Sequence, residues 1–88
     1  MGESDTLLEF PCKFPVKMMG RADAGFREVT IDLIARHAGK VAAESVQTSS
    51  SSNGNYVSVT ITIDARSQEQ LDKIYQDLSD HKDILVAL

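Results

Sequence analysis

Residues Tyr56 to Asp64 read Tyr-Val-Ser-Val-Thr-Ile-Thr-Ile-Asp, an unbroken alternation in which Val57, Val59, Ile61 and Ile63 point one way and Tyr56, Ser58, Thr60, Thr62 and Asp64 the other. A period of two, carried by β-branched and aromatic residues, is the pattern of a strand with one face buried and one face in water. The apolar face needs a covering layer, and the flanking sequence supplies one on each side.

Toward the C-terminus, Ser67 and Gln70 stand at capping-box spacing, and Leu71, Ile74, Tyr75 and Leu78 predict an amphipathic helix to about Ser79. Asp80 to Lys82 turns the chain. Asp83 to Leu88 reads as a last strand, with Ile84, Val86 and Leu88 on one face and Leu85 and Ala87 on the other.

Toward the N-terminus, Thr48 to Asn55 contains Ser-Ser-Ser-Ser-Asn-Gly and predicts a loose hairpin tip, and Val41 to Thr48 before it is a weaker, small-residue strand. Phe26, Val29, Leu33 and Ile34 recur at helical spacing up to about Ala38. Gly39 suits the residue just past that helix, and Arg36 and His37 sit in the last turn, where positive charge opposes the macrodipole. Arg21 to Gly25 is a turn in which Asp23 is placed to cap the helix start. Before it, Phe14, Val16 and Met18 alternate with Pro15, Lys17 and Met19, a strand that ends at Gly20. Pro11 and Pro15 keep Phe10 and Phe14 out of the helical region. Residues 1–6 are polar and aperiodic, which predicts a disordered tail ahead of a single domain over residues 7–88.

The order of elements is therefore βαββαβ. An α+β domain of ferredoxin-like plan follows, a four-stranded antiparallel sheet with two helices on one face. An open sheet with one helix on each face is the alternative.

The chain has 88 residues, 42% of them hydrophobic and 25% charged, which is enough for one domain with one small core. Any ligand is expected in a surface cleft or between subunits. Nine Lys and Arg against 13 Asp and Glu give a net charge of −4, without a basic run in either half, and this weighs against nucleic acid. Cys12 is the only cysteine, so no intramolecular disulfide can form, and a cytoplasmic location is the expectation. No segment is apolar for the length a membrane helix needs, and no membrane partner is expected.

The catalytic constellations are missing from the sequence. There is no Gly-rich nucleotide loop, no His-Glu-x-x-His, and no nucleophile elbow. His37 and His81 are far apart in the chain and neither has a second ligand at metal spacing. We expect His37 to interact with the last helix carbonyls, His81 to be a turn residue, and Cys12 to be an inert thiol. No enzymatic activity, metal or cofactor is expected.

Two binding surfaces remain. On the uncovered sheet face the expected residues are Lys17, Met19, Tyr56, Ser58, Thr60, Thr62 and Leu85. With Tyr56 the only aromatic among them, base stacking is poorly supported, and self-association or a protein partner fits better. The second surface is the strand-to-helix turn with Gly20, Arg21, Asp23 and Gly25, where free helix N–H groups and an arginine could hold an anionic small-molecule effector.

Leu7-Leu8-Glu9-Phe10-Pro11, Phe14 through Lys17 to Gly20, Arg36-His37-Ala38, Gly54-Asn55 with the alternating strand, and Glu69-Gln70-Leu71 through Tyr75 to Leu78 together resemble the YbeD-like family of small bacterial proteins of unknown function. The resemblance runs from about Leu7 to Leu88. It implies a ferredoxin-like domain similar to ACT-type regulatory domains, which bind small effectors and pair through sheets or helices. It brings no catalytic residues with it. The genomic neighbourhood of some relatives hints at lipoate metabolism. The turn from Gly20 to Gly25 departs from the acidic-then-Pro-Gly sequence of amino-acid-binding ACT domains. The expected function is that of a regulatory or adaptor domain acting through protein association, with an ACT-like effector sensor as the alternative.

Overall fold

A computed structural model describes residues 9–22 and 25–88. The expected tail at residues 1–6 lies outside them. The alternating stretch forms β3 (Tyr56–Ala65), which pairs antiparallel along its whole length with β1 (Cys12–Arg21), from Cys12 opposite Ala65 to Arg21 opposite Tyr56. On its other side β3 pairs with β2 (Val46–Ser50), and β4 (Val86–Ala87) closes the far edge against β1, giving the order β2-β3-β1-β4. Two helices, α1 (Phe26–Ala38) and α2 (Gln68–Asp80), complete the βαββαβ arrangement. The ferredoxin-like α+β fold read from the element order is the one observed.

Alternation places the core. Val16 and Met18 of β1 and Val59, Ile61, Ile63 and Ala65 of β3 are buried against Phe26, Thr30, Leu33 and Ile34 of α1 and Leu71, Ile74 and Leu78 of α2. Thr30 is the one polar residue sealed inside among the described residues, and its hydroxyl donates to the Arg27 carbonyl at 2.7 Å, so its burial leaves no orphaned group. Pro15 sits in the middle of a strand with neighbours on both sides, a position that normally rejects proline. Lys17, two residues on, exchanges both of its backbone hydrogen bonds with Leu88, so Pro15 turns its donorless nitrogen to the same side, past the last pairing of β4.

Several boundaries differ from the sequence reading. Residues Ala43–Ser45 form a single 3-10 turn, and β2 begins only at Val46 and runs through Ser50, so half of the serine run is strand. The tip is short: Ser51 donates backbone N–H to the Tyr56 carbonyl, and the Ser51 hydroxyl and Asn53 side chain bond within the turn. Gly25 at φ 96° holds the N-cap position of α1 without a side-chain bond, in place of the expected Asp23, which lies outside the described residues.

At α2 the Ser67 hydroxyl accepts from Gln70 N–H at 3.1 Å, as the capping box requires. The return bond goes elsewhere, because Gln70 Oε1 accepts from the Arg66 N–H at 2.7 Å. Ser67→Ala is expected to lower stability by about 1 kcal/mol. Urea unfolding should show a lower midpoint at an unchanged m-value.

The last strand departs most. Only Val86–Ala87 is regular, Ala87 lies opposite the buried Met18, and Val86 lies opposite Met19. Leu85 N–H also bonds the Met19 carbonyl, at 2.8 Å, so two consecutive residues face one and the alternation slips. Ile84 turns inward to the core and Leu85 lines clefts with Phe26 and Val29 of α1 and with Tyr75 and Leu78 of α2. Leu85 therefore sits at the sheet edge beside these clefts, and Val86 stands on the open face opposite Met19.

Tyr75 packs edge-on against Phe14, with centroids 6.5 Å apart, and its hydroxyl donates to the Leu88 carbonyl at 2.7 Å. Partial burial raises its pKa above the ordinary value of 10.0. A raised folded-state pKa gives stability that is full below pH 10 and is lost as pH climbs through the folded value. The Tyr75→Phe variant should therefore lose less stability than the parent between neutral pH and pH values above about 10, as followed by far-UV circular dichroism during urea titration.

Candidate functional site

The sheet face turned away from the helices carries Lys17, Met19 and Arg21 from β1, Tyr56, Ser58, Thr60 and Thr62 from β3, and Gln47 and Ser49 from β2, because these residues share one parity of the register. Lys17, Met19, Tyr56, Ser58, Thr60 and Thr62 stand together as the sequence predicts. Val86 is added opposite Met19, and Leu88 opposite Lys17, with which it exchanges N–H···O bonds of 3.2 and 2.8 Å. Tyr56 at 39%, Val86 at 41% and Leu88 at 65% exposure are three of the four exposed large apolar side chains among the described residues. The fourth, Leu85, is around the edge.

Met19 lies between Ser58 on one side and Val86 on the other, so the apolar residues form a band across β1 from Tyr56 to the β4 edge. Lys17 and Arg21 flank it, both exposed and both without an acidic partner among the described residues. Lys13, farther along β1, is paired with Asp64 at 2.8 Å. Slippage at Leu85–Val86 hid Val86 and Leu88 from sequence reading, since strict alternation grouped them with the buried Ile84.

At the strand-to-helix turn, Gly20 is buried and Arg21 and Gly25 are exposed, while Asp23 lies outside the described residues. Arg21 lines a cleft with Phe26, Val29, Lys82, Asp83 and Leu85 of about 110 Å³. Small-molecule pockets are usually several times larger. Gly20 has a packing reason of its own: a Cβ there would collide with the Phe26 ring and stand 2.6 Å from the Asp83 carbonyl oxygen.

A third grouping is assembled only by the fold. The end of α1 meets the start of α2, where Arg36, His37, Arg66, Glu69, Gln70 and Lys73 line an open cleft of about 330 Å³. The Gln70 side chain braces it: its amide nitrogen donates to the His37 carbonyl at 3.0 Å, and its oxygen accepts from Arg66 N–H. His37 Nε2 meets Asp77 Oδ2 at 2.5 Å, so the ring is engaged by a residue of α2 and not by the last carbonyls of its own helix. The pairs His37–Asp77 and Gln70–His37 span the chain at separations that no local motif encodes. Nothing in the sequence marks Arg36 and Arg66 as neighbours.

Among the described residues no group of three His, Cys, Asp or Glu is placed to hold a metal ion, and no helix is long and apolar enough to cross a membrane. Cys12 is a partly buried free thiol.

Comparison with known proteins agrees with the resemblance read from the sequence. The family model described as "Protein of unknown function (DUF493)" matches residues 5–88. A UPF0250 protein of Paraburkholderia phytofirmans is 41% identical over 85 residues, covering 97% of this chain and 96% of its own length. A UPF0250 protein of Neisseria meningitidis serogroup C is 41% identical over 83 residues, 94% of this chain and 91% of its own. One from Nitrosomonas europaea is 38% identical over 84 residues, covering 96% and 97%. Such identity over nearly the whole length of both partners leaves one assignment, that the chain belongs to the DUF493 family of bacterial proteins of unknown function.

Proposed function

We propose that this protein is a small non-catalytic regulatory or adaptor domain that works by docking another protein on its open sheet face. The observation that carries the reading is the band of Met19, Tyr56, Val86 and Leu88, which gathers onto one face three of the four exposed large apolar side chains among the described residues. Scattered apolar residues are ordinary on a protein surface, whereas a contiguous apolar strip with a polar rim is what recognition surfaces have.

Lys17 and Arg21 narrow the partner. A complementary segment would set apolar side chains on the band and carboxylates beside the two cations. A second copy fits less well, because stacking two such faces brings Lys17 and Arg21 of one central strand toward those of the other. The free thiol of Cys12 suits a reducing cytoplasmic setting.

Met19→Lys and Val86→Lys place a charge within the band, in the middle and at the β4 edge, without touching the core. Each is expected to weaken binding to a purified partner by at least about tenfold, the scale of a central interface residue, while Lys73→Ala on the helix side leaves it unchanged. Capture with each variant, followed by titration of the recovered partner, reads this out. Equal affinity in Met19→Lys, Val86→Lys and the parent would overturn the assignment to this face. A concentration-dependent dimer in light scattering that Met19→Lys abolishes would instead make a second copy the occupant.

A further inference from the structure

We infer that the cleft between the end of α1 and the start of α2 binds a phosphoryl group, with Arg36 and Arg66 as its two forks. This site is separate from the open sheet face, since α1 and α2 cover the opposite side of the sheet.

Charge is the first ground. The chain carries a net charge of −4, yet Arg36, Arg66 and Lys73 line one cleft against the single carboxylate of Glu69. Glu69 is taken by Lys73 at 3.4 Å, which leaves Arg36 and Arg66 with no acidic partner among the described residues. His37, the remaining basic group of the lining, is already satisfied by Asp77. Two unpaired guanidinium groups repel one another, and an oxyanion between them removes that repulsion. Guanidinium is also the group that matches phosphate with parallel N–H···O bonds.

Preorganisation is the second ground. Arg36 and Arg66 come from segments far apart in sequence, and one side-chain amide ties both backbones: Gln70 bonds the carbonyl of His37, next to Arg36, and the N–H of Arg66 itself. The two arginine-bearing segments are therefore set at a fixed spacing before any ligand arrives, which lowers the cost of binding. The cleft is open and mostly polar, which suits the phosphoryl end of a small soluble phosphate ester more than an apolar ligand.

The test is NMR titration of the full chain with phenyl phosphate and with inorganic phosphate, at constant ionic strength made up with sodium chloride. Saturable shifts of the Arg36, Arg66 and Gln70 signals are expected, and Arg36→Gln or Arg66→Gln should each weaken binding about tenfold, the loss of one charge-assisted contact. Lys82→Gln, in the turn that follows α2, should bind as the parent does. Tighter binding of phenyl phosphate assigns the site to an ester, and equal affinities assign it to free phosphate. Shifts that do not saturate, or that persist unchanged in both arginine variants while their spectra remain folded, overturn the inference.

Discussion

Gly20→Ala is expected to destabilise the protein by about 3 kcal/mol, the upper part of the range for overpacking a core. The added methyl has nowhere to go. It would overlap the Phe26 Cε1 position, stand 2.7 Å from Phe26 Cζ, and stand 2.6 Å from the Asp83 carbonyl oxygen. The ring can move only at the expense of the α1 packing, and the carbonyl belongs to the turn that leads into Ile84 and β4. For a domain of this length the change corresponds to a fall of about 15 °C in Tm. Calorimetry of Gly20→Ala, Phe26→Leu and the double variant should show coupling. Shortening the ring removes one clash and leaves the other, so the double variant should be more stable than the sum of the single losses. Simple additivity would mean that the backbone contact accounts for the whole cost.

Ile61→Ala is expected to cost about 3.5 kcal/mol, in the middle of the range for truncating a buried isoleucine. Ile61 is fully buried on β3, with Val16 of β1 and Val46 of β2 as its cross-strand partners. The strand is held on both sides and the helices lie above it, so collapse around the cavity is resisted. A domain of this length has about 4–13 kcal/mol of total stability, so the variant would be close to the limit of folding at physiological temperature. Urea unfolding should show a large fall in midpoint for Ile61→Ala and a change within about 0.5 kcal/mol for Thr60→Ser, the preceding residue, whose half-buried side chain lies on the open face.

The contrast between these neighbours shows what was readable in the amino acids. Tyr56 to Asp64 announces a strand, its buried face and its wet face by side-chain type alone, and the structure follows it residue by residue. Phe26, Leu33 and Ile34 on one helix and Leu71, Ile74 and Leu78 on the other announce the cover in the same way. Most of the open face was legible for this reason: Lys17, Met19, Ser58 and Thr60 follow from parity. Val86 and Leu88 depart from the face they were assigned with Ile84 because parity holds only while the ladder is regular, and the doubled residue opposite Met19 breaks it. Gly25 reaches the cap position through a backbone conformation that side-chain chemistry does not advertise, and Asp23, whose chemistry suits a cap, lies outside the described residues.

The sequence by itself determined the order of elements, the sheet-and-helix layering and the absence of any local catalytic motif, since periodicity, caps and turn residues act over a few positions. Tertiary structure alone decided which distant residues meet. Arg36 and Arg66 share a cleft because Gln70 bonds both of their segments, His37 turns to Asp77, and Val86 completes the apolar band through a slip in the last strand. Each of these depends on packing between elements, and the energy that selects them is spread over the whole core, so no short stretch of sequence records it.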